Sequence, residues 1–282
     1  MEKDFGKKKI LIPVVCGGVV LICLVVFLTH FLRRGQTKEV MGEAVLEKNL
    51  LAPVELTAEA EDQGKNESNA PETKAPEEGI YTYLQGPKSW GKRLPWSGEW
   101  GVTHYDGGSF GGFGCGLCCI ANLYSSLTPY QCTPADAYRF AKRTTEYHGG
   151  GAIDWGYMRD ALTLQGFSCS LQKKSPTYEE FQKLMEESMA AVVLVSSADS
   201  KCYWKDTPGH YVTIFLYNKK SDKVFLADSG DPKHNRHYIS LKKIYKSLKT
   251  ASAYQFLNII SYDKKSDTWK HKKADGNWVK AG

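Results

Sequence analysis

The sequence predicts an α+β domain in which helices come first along the chain and a largely antiparallel sheet follows. Three observations predict this class. Aromatic residues become frequent from Tyr81 onward, as is typical where a packed domain begins. Helix-like apolar segments fill the first half of the domain, and runs rich in β-branched and aromatic residues fill the second half. That order favours segregated helices and strands over alternating βαβ units.

Four helices are predicted from the apolar spacing. Residues 116–127 are a continuous run of small and apolar residues entered through a glycine-rich turn, which is typical of a buried helix. The next helix has Thr133 as its N-cap and Pro134 at its first position, a common helix start. The remaining predicted helices are residues 134–147, 153–165 and 178–189.

Five strands are predicted, and most of them lie after the helices. Short apolar runs follow the third and fourth helices, and three longer runs are separated by turn signals such as residues 218–222. Alternation and β-branched content favour strands at these positions. The predicted strands are residues 167–171, 191–196, 211–217, 224–228 and 254–262.

The N-terminal part predicts a membrane anchor. Residues 10–32 carry no charge when His30 is neutral, and about 20 apolar residues suffice to cross a bilayer as a helix. The stretch is longer than the usual apolar core of a signal peptide, and no A-x-A-like cleavage site follows it. Both features favour an uncleaved signal anchor over a cleaved signal peptide. The lysines of residues 1–9 slightly outnumber the basic residues that follow the stretch, so the N-terminal tail is predicted to be cytoplasmic.

Charge divides the rest of the chain, which excludes a single homogeneous fold. Residues 35–80 carry 4 basic and 11 acidic residues, whereas residues 81–282 carry 27 and 18. Because the acidic segment is almost free of aromatic residues, residues 33–80 are predicted to be a disordered linker. Residues 81–262 are predicted to be the domain, and residues 263–282 a loose basic tail whose two tryptophans could pack back or meet a partner. No basic block is interleaved with base-stacking aromatic residues, so nucleic acid is not an expected partner.

Cys115 is the predicted nucleophile. It stands in the run Gly-Gly-Phe-Gly-Cys-Gly of residues 111–116, directly before the apolar helix, where the helix dipole and free backbone N–H groups favour a thiolate. Its own N–H could hold the oxygen of a tetrahedral intermediate. Packing thiols or a metal cluster are the alternatives, and packing is favoured for Cys118 and Cys119. A zinc site is disfavoured because no second pair of Cys or His residues stands at a recognisable ligand spacing. No cofactor is expected.

His210 is the predicted base. It opens an apolar strand directly after Pro-Gly, which places it at a sheet edge where a cleft can form. The next strand ends in Asp228, and an antiparallel neighbour would bring that carboxylate beside the imidazole. Asp231, in Gly-Asp-Pro, is the rival and suits a turn better. The other histidines in loops or in the tail are predicted to be solvated or to cap loops: His104, His148, His234, His237 and His271.

These blocks resemble a known family, the C39-like group of the papain-like cysteine peptidase superfamily, over most of residues 90–262. The blocks are Gly-Cys-Gly-Leu-Cys-Cys-Ile-Ala-Asn at residues 114–122, Gly-His-Tyr-Val at residues 209–212 and Leu-Ala-Asp at residues 226–228. The resemblance implies a papain-like fold, with the nucleophile helix packed on an antiparallel sheet. It also implies Cys115 as nucleophile, His210 as general base and acid, and Asp228 as the orienting residue.

One feature departs from that family. The superfamily usually places a Gln several residues before the cysteine as an oxyanion donor, and residues 90–115 contain none. Ser109, His104 or a second backbone N–H would have to substitute. Losing one such donor typically costs about 100- to 1000-fold in rate, so a catalytically impaired module is an alternative function.

The leading function is therefore a membrane-anchored thiol hydrolase that cleaves a peptide or amide bond through a Cys-His-Asp triad and a thioester. The alternatives are a papain-like binding module and a cell-wall amidase of the NlpC/P60 type. The expected partners are a peptide or peptidoglycan-type substrate and the membrane. The combination of anchor, acidic tether and peptidase-like domain resembles Gram-positive cell-surface proteins, so the domain is expected to face outward from a single-pass anchor.

The remaining cysteines and tryptophans give weaker signals. Six cysteines lie outside the apolar stretch, and setting Cys115 aside leaves an odd number, which does not indicate a regular disulfide framework. A bridge from Cys169 to Cys202, or one that includes Cys132, stays open. Four tryptophans could line a substrate groove, although core and rim packing is favoured for each: Trp90, Trp96, Trp100 and Trp155.

Overall fold

A six-stranded antiparallel sheet organises the described part of the chain, residues 76–201 and 203–280 of a computed structural model. The strands are β1 (His104–Tyr105), β2 (Gly108–Ser109), β3 (Gln165–Gln172), β4 (Ala190–Val195), β5 (His210–Asn218), β6 (Lys223–Ala227), β7 (His237–Ser240) and β8 (Phe256–Asp267). β1 and β2 form a separate hairpin. The other six follow the order β3-β8-β4-β5-β6-β7, and every neighbouring pair is antiparallel.

Helices lie mainly before the sheet in sequence and on both of its faces. They are α1 (Pro87–Gly91), α2 (Phe110–Phe113), α3 (Cys115–Leu127), α4 (Pro134–Thr144), α5 (Trp155–Leu164), α6 (Tyr178–Glu186) and α7 (Leu241–Ser247). Short 3-10 helices cover Pro76–Gly79 and Glu99–Val102. The predicted mixture of helices with an antiparallel sheet is confirmed.

Side chains on the two faces of the sheet enter two separate cores. On β4, Val192 and Leu194 pack with the helices α3, α4 and α5, whereas Val193 and Val195 pack with α6 and α7. Successive strand residues point to opposite faces, so a strand buried on both faces becomes continuously apolar. This explains why β4 reads Ala-Ala-Val-Val-Leu-Val without a polar residue.

The start of α3 approaches β5 closely, and Gly116 makes that approach possible. A Cβ atom at Gly116 would lie 2.6 Å from Ile153 Cγ2, 2.9 Å from Met158 Cε and 3.4 Å from Tyr211 Cδ2. A side chain there would have to displace the side chains of Ile153 and Met158, and it would already touch Tyr211 of β5. The contact therefore brings Cys115 and His210 to the same edge of the sheet.

The start of α4 follows the predicted capping chemistry. The Thr133 hydroxyl accepts the N–H of Asp136, and the Asp136 carboxylate accepts the N–H of Thr133, with Pro134 in the first turn. This reciprocal pair satisfies two N–H groups that the helix itself cannot. β7, α7 and the β1–β2 hairpin were not predicted, because each is too short to give a clear apolar period.

The packed unit extends beyond both predicted limits of residues 81–262. Residues 263–282 are not loose over their described part, because β8 continues to Asp267, Trp269 stacks on Phe140 at 4.5 Å between centroids, and Trp278 stacks on Trp96 at 6.0 Å. Burial of these aromatic rings outweighs the repulsion of the flanking lysines. At the other limit Ile80 is buried and its carbonyl accepts a 2.7 Å hydrogen bond from Arg236.

Several predictions fall on residues outside the described ranges. They are the cytoplasmic tail of residues 1–9, the transmembrane stretch of residues 10–32, and residues 33–75 of the predicted linker. Along residues 76–201 and 203–280, the helices are all too short or too polar to cross a bilayer.

The thiols of Cys132 and Cys169 are free, so neither takes part in the disulfides considered above. Cys132 is fully buried beside the Ser125 hydroxyl, which accepts the Cys132 N–H at 3.0 Å. The partner suggested for Cys169, Cys202, lies outside the described residues.

Candidate active site

Cys115 is the first residue of α3 and is partly exposed, whereas Cys118 and Cys119 behind it are buried. Gly114 occupies the N-cap without a side-chain cap. The first N–H groups of a helix have no partner within the helix, so the end of α3 offers donors and a positive potential to the Cys115 sulfur. The predicted position of this thiol at a helix N-terminus is therefore the observed one.

His210 and Asp228 lie side by side at the same edge of the sheet. His210 is the first residue of β5, Asp228 directly follows β6, and Nε2 of the imidazole lies 2.8 Å from Oδ1 of the carboxylate. Because Nε2 faces Asp228, Nδ1 is the ring nitrogen left for Cys115. The side chain of His210 is 12% exposed and that of Asp228 is 1% exposed.

The environment of Cys115 favours the thiolate. Burial acts against the charged form and is the largest single influence. The hydrogen bond and positive charge of His210, together with the N–H groups of Tyr211 and Gly116, outweigh it and lower the pKa of the Cys115 thiol. The reciprocal effect appears on the imidazole. Burial would lower the pKa of His210, but the hydrogen bonds to Asp228 and Cys115 raise it to about 10. Both shifts therefore favour the thiolate–imidazolium form of the pair over its neutral form.

Asp228 is held as a carboxylate by several donors. Oδ1 accepts His210 Nε2 and, at 2.9 Å, the N–H of Gly230, and Oδ2 accepts the indole N–H of Trp204 at 2.9 Å. Burial alone would raise the pKa of Asp228, but hydrogen bonding to His210, His234 and Trp204 lowers it well below its ordinary value. An ionised carboxylate in this position can fix the imidazole and stabilise its cation.

Asp231, the rival orienting residue, does not contact His210. Its N–H donates to Asp228 Oδ1 at 3.3 Å, and its own carboxylate accepts the N–H of Lys233 at 2.9 Å. It therefore supports the turn that carries Asp228, which matches the predicted turn role.

His234 was expected to be solvated or to cap a loop, and the structure places it in the loop after β6, beside Asp228. Its Nδ1 lies 3.7 Å from Asp228 Oδ2 and 3.8 Å from Asp231 Oδ2, and its ring stacks on Tyr203 at 4.1 Å between centroids. The nearby Asp228 carboxylate raises the pKa of His234. Composition alone could not reveal this, because the polar loop of residues 230–236 folds back over the end of β6.

Gln85 is the functional residue that sequence reasoning missed. It is 8% exposed and lines the cleft with His210. Its Nε2 donates to the carbonyl of Gly111 at 3.0 Å, and its Oε1 accepts the Ser229 hydroxyl at 2.7 Å. Since a carboxamide nitrogen has two N–H groups, one remains for another acceptor. Gln85 lies before Trp90, outside residues 90–115, where a Gln was expected.

A cleft of about 620 Å³ extends from Gln85 and His210. Ser109 and His104, the predicted substitutes for a Gln, are exposed on the β1–β2 hairpin and do not line this cleft. Of the tryptophans proposed for a groove, Trp96, Trp100 and Trp155 are buried, while Arg93 covers Trp90 at 3.7 Å. The tryptophan at the cleft is Trp204.

Within the described ranges, one group of side chains has metal-ligand spacing: Asp136, His271 and Asp275. Arg139 pairs with Asp136 and lies 3.9 Å from Asp275. The Asp136 carboxylate also caps α4. One guanidinium thus already offsets part of the negative charge of this group, and none of its members lines the cleft.

Comparison with known proteins gives a fold-level likeness. No protein-family model and no curated protein matches the chain. Among solved structures, the peptidase domain of Streptococcus ComA, a bifunctional ABC transporter involved in a quorum-sensing pathway, is similar in structure. The two share 12% sequence identity with a TM-score of 0.35, and the match covers 52% of this chain and 90% of that one.

Proposed function

We propose that the chain is a thiol hydrolase that cleaves a peptide or amide bond through a thioester on Cys115. One observation carries the proposal. A partly exposed cysteine stands at a helix N-terminus beside His210, which lowers the pKa of its thiol, and Nε2 of His210 lies 2.8 Å from the buried Asp228 carboxylate. A nucleophile, a base and an orienting acid in that order are the elements of covalent acyl transfer.

The first half of the proposed reaction forms the thioester. The Cys115 thiolate attacks the substrate carbonyl, and the π electron pair moves onto the carbonyl oxygen. The N–H of Cys115 and the remaining N–H of Gln85 Nε2 stabilise that oxyanion. As the tetrahedral intermediate collapses, the C–N bond breaks and His210 protonates the departing nitrogen.

The second half releases the acid. Neutral His210 takes a proton from water as the water oxygen attacks the thioester carbonyl. The oxyanion forms again at the same donors, the C–S bond breaks, and Cys115 leaves as the thiolate beside imidazolium. Asp228 remains ionised throughout, so it stabilises the imidazolium without accepting the proton.

The test uses the full chain with a mixed peptide library, and mass spectrometry detects both cleaved products and an acid-trapped thioester on Cys115. We expect cleavage that Cys115→Ala abolishes. Cleavage that survives Cys115→Ala would refute the proposal. Failure of the full chain to be acylated even by an activated ester would favour the binding module instead.

The alternative functions differ in support. The alternative of a catalytically impaired binding module depends on the absence of a Gln that could donate to the oxyanion. The position of Gln85 in the cleft argues against that alternative. A cell-wall amidase would prefer purified muropeptides to the peptide library, which the same assay measures. We also propose that residues 10–32 anchor the chain with the domain facing outward. Protease accessibility of residues 76–280 on intact cells, compared with lysed cells, tests that orientation.

A further inference from the structure

Cys115 and Cys118 are both free thiols, and they form a Cys-Gly-Leu-Cys sequence at the start of α3. The N–H of Cys118 donates to the carbonyl of Gly114 at 2.9 Å, which closes this first turn. Residues three apart in an α-helix lie on one face, and helix geometry places their Cα atoms about 5 Å apart. Disulfides join residues whose Cα atoms are about 4.4 to 6.8 Å apart. The spacing therefore allows a disulfide between the two.

The side chains must approach each other slightly before such a bond can form. Cβ atoms three residues apart on a helix are about 5 to 6 Å from each other, whereas those of a disulfide are about 3.5 to 4.5 Å apart. Cys115 is the first residue of α3, and helices fray at their ends. The approach therefore needs a shift at the end of the helix and leaves its later turns in place.

The two thiols differ in exposure and in acidity. Cys115 is partly exposed, whereas Cys118 is 0% exposed. Burial opposes ionisation of Cys115, but His210 and two backbone N–H groups outweigh it and lower the pKa of this thiol. Burial raises the pKa of Cys118 well above its ordinary value, and the nearby Cys119 and Cys115 add to the rise. Because thiolate character and access control oxidation, an oxidant in solution reacts first with Cys115, and Cys118 stays a thiol behind it.

Cys119 is the competing partner for Cys115, and its spacing is less favourable. It lies four residues from Cys115, where helix geometry gives about 6 Å between Cα atoms. Its side chain must therefore move farther than that of Cys118. Burial raises the pKa of Cys119, and the side chain of Thr213 on β5 acts in the opposite direction, which places the Cys119 sulfur against the sheet.

We propose that Cys118 is the resolving partner of Cys115, and that the two form a reversible disulfide when the protein meets hydrogen peroxide. The Cys115 thiolate attacks one peroxide oxygen and becomes a sulfenic acid. The O–O bond breaks, and the hydroxide that leaves takes the proton of His210 to give water. The Cys118 sulfur then attacks the Cys115 sulfur, the S–O bond breaks, and the departing hydroxyl leaves as water with the Cys118 proton. Two electrons pass from the thiols to the peroxide.

The disulfide removes the thiolate and so stops hydrolysis. That consequence rests on the proposed function, whereas the disulfide itself depends only on the two thiols. It also protects Cys115, because a sulfenic acid without a thiol partner is oxidised further to sulfinic and sulfonic acids that ordinary thiol reductants do not reverse. The first turn of α3 would thus hold both the nucleophile and the means of recovering it.

Differential alkylation of the full chain detects the disulfide. The reduced protein is treated with excess hydrogen peroxide, its remaining thiols are blocked with light iodoacetamide in denaturant, and thiols released by a reductant are labelled with heavy iodoacetamide. We expect heavy label on Cys115 and Cys118 together. In the native protein, the alkylation rate of Cys115 should fall at least about tenfold after peroxide and return after reduction, because a disulfide contains no thiolate.

Cys118→Ser tests the resolving role, and Cys119→Ser is the matched control because it makes the same change at the adjacent buried thiol. Without Cys118, the alkylation rate of Cys115 recovered by reduction should be at least about tenfold lower than in the wild type, since the sulfur has been oxidised beyond the sulfenic acid. Cys119→Ser should recover as the wild type does. The alkylation rate before peroxide shows whether each variant keeps the site intact, and the wild-type label map depends on no variant.

The outcomes separate the disulfide from the proposed function. Heavy label on Cys115 without Cys118, heavy label on Cys115 with Cys119, or full recovery of Cys118→Ser would overturn the assignment. Oxidation of wild-type Cys115 directly to sulfinic acid would overturn it as well. A Cys115–Cys118 disulfide in a chain that, when reduced, is not acylated by an activated ester would leave the redox pair standing and overturn the proposed function.

Discussion

Replacing His210 with Ala should remove the reactivity of Cys115, and the size of the loss can be estimated from the site. A free thiol has a pKa of about 8.5 and is therefore about 1% ionised at about pH 6.5. His210 is the main group that lowers the pKa of Cys115, and burial opposes it. Without the imidazole, burial dominates, so the thiolate fraction of the variant should not exceed about 1% at that pH.

The expected loss of alkylation rate is thus about tenfold for each unit by which His210 lowers the Cys115 pKa. It reaches about 100-fold if the wild-type thiol is fully ionised at about pH 6.5. The assay is the second-order rate of iodoacetamide alkylation from about pH 5 to about pH 9, with mass spectrometry to identify the labelled cysteine. At pH values below the ordinary thiol pKa of about 8.5, Cys115 should be labelled rapidly in the wild type and slowly in the variant.

Cys169 provides an internal reference in the same molecule. It is a partly exposed free thiol whose pKa is raised, chiefly by burial, and the groups that act on it are Thr163, Arg159 and Asp160 rather than His210. Its slow labelling should be unaltered in His210→Ala, which would also show that the variant is folded. Superimposable Cys115 profiles for wild type and variant would refute the ion-pair reasoning, as would a parallel change at Cys169.

The remaining predictions concern Gln85, Asp228, His234 and Trp278. Gln85→Ala should lower the rate of acylation by about 100- to 1000-fold with little change in substrate affinity. Ser229→Ala, which removes the 2.7 Å bond to Gln85 Oε1 but keeps the carboxamide N–H groups, should cost much less, and equal losses in steady-state kinetics would contradict an oxyanion role. Asp228→Asn should slow turnover by about 10- to 100-fold, since a hydrogen bond to a charged group is worth about 1.5–3 kcal/mol. The folded-state pKa of Asp228 is depressed, so ionised Asp228 stabilises the folded protein above about pH 4 and this stabilisation is lost as the pH falls further. In acid denaturation, the difference in free energy of unfolding between wild type and Asp228→Asn should therefore shrink. The same variant should lower the pKa of His234, because the Asp228 carboxylate is the main group that raises it, and an unchanged NMR titration of the His234 ring would argue against their coupling. Trp278→Ala should reduce the free energy of unfolding by about 2 kcal/mol, less than a fully buried tryptophan, and an unaltered urea midpoint would mean that the stacking on Trp96 adds no stability.

Much of the fold follows from short-range patterns in the sequence. The capping box at Thr133 and the apolar run of α3 announce helices by side-chain chemistry that acts over one turn. The strand β5 was predicted within one residue at its first position, because Pro208-Gly209 ends the preceding loop. These signals are local, so a single sequence contains them.

The unpredicted parts depend on contacts between distant segments. Gln85 reaches the cleft because its N–H donates to Ser229 and Ser229 donates back to its side chain, and no local pattern encodes a pairing across 144 residues. His234 looked solvated because its neighbours are polar, yet stacking on Tyr203 turns it towards Asp228. The packing of Trp278 on Trp96 was left open for the same reason.

The pairing between the two ends of the packed unit has a consequence for biosynthesis. Residues 277 and 279 form backbone hydrogen bonds with residues 96–99, and Trp96 in turn accepts the N–H of Leu84, beside Gln85. A nascent chain still attached to the ribosome before residue 277 therefore lacks the segment that braces the neighbourhood of Gln85. The surroundings of Gln85 should therefore be complete only after residues 277–279 have been synthesised and have packed against residues 96–99.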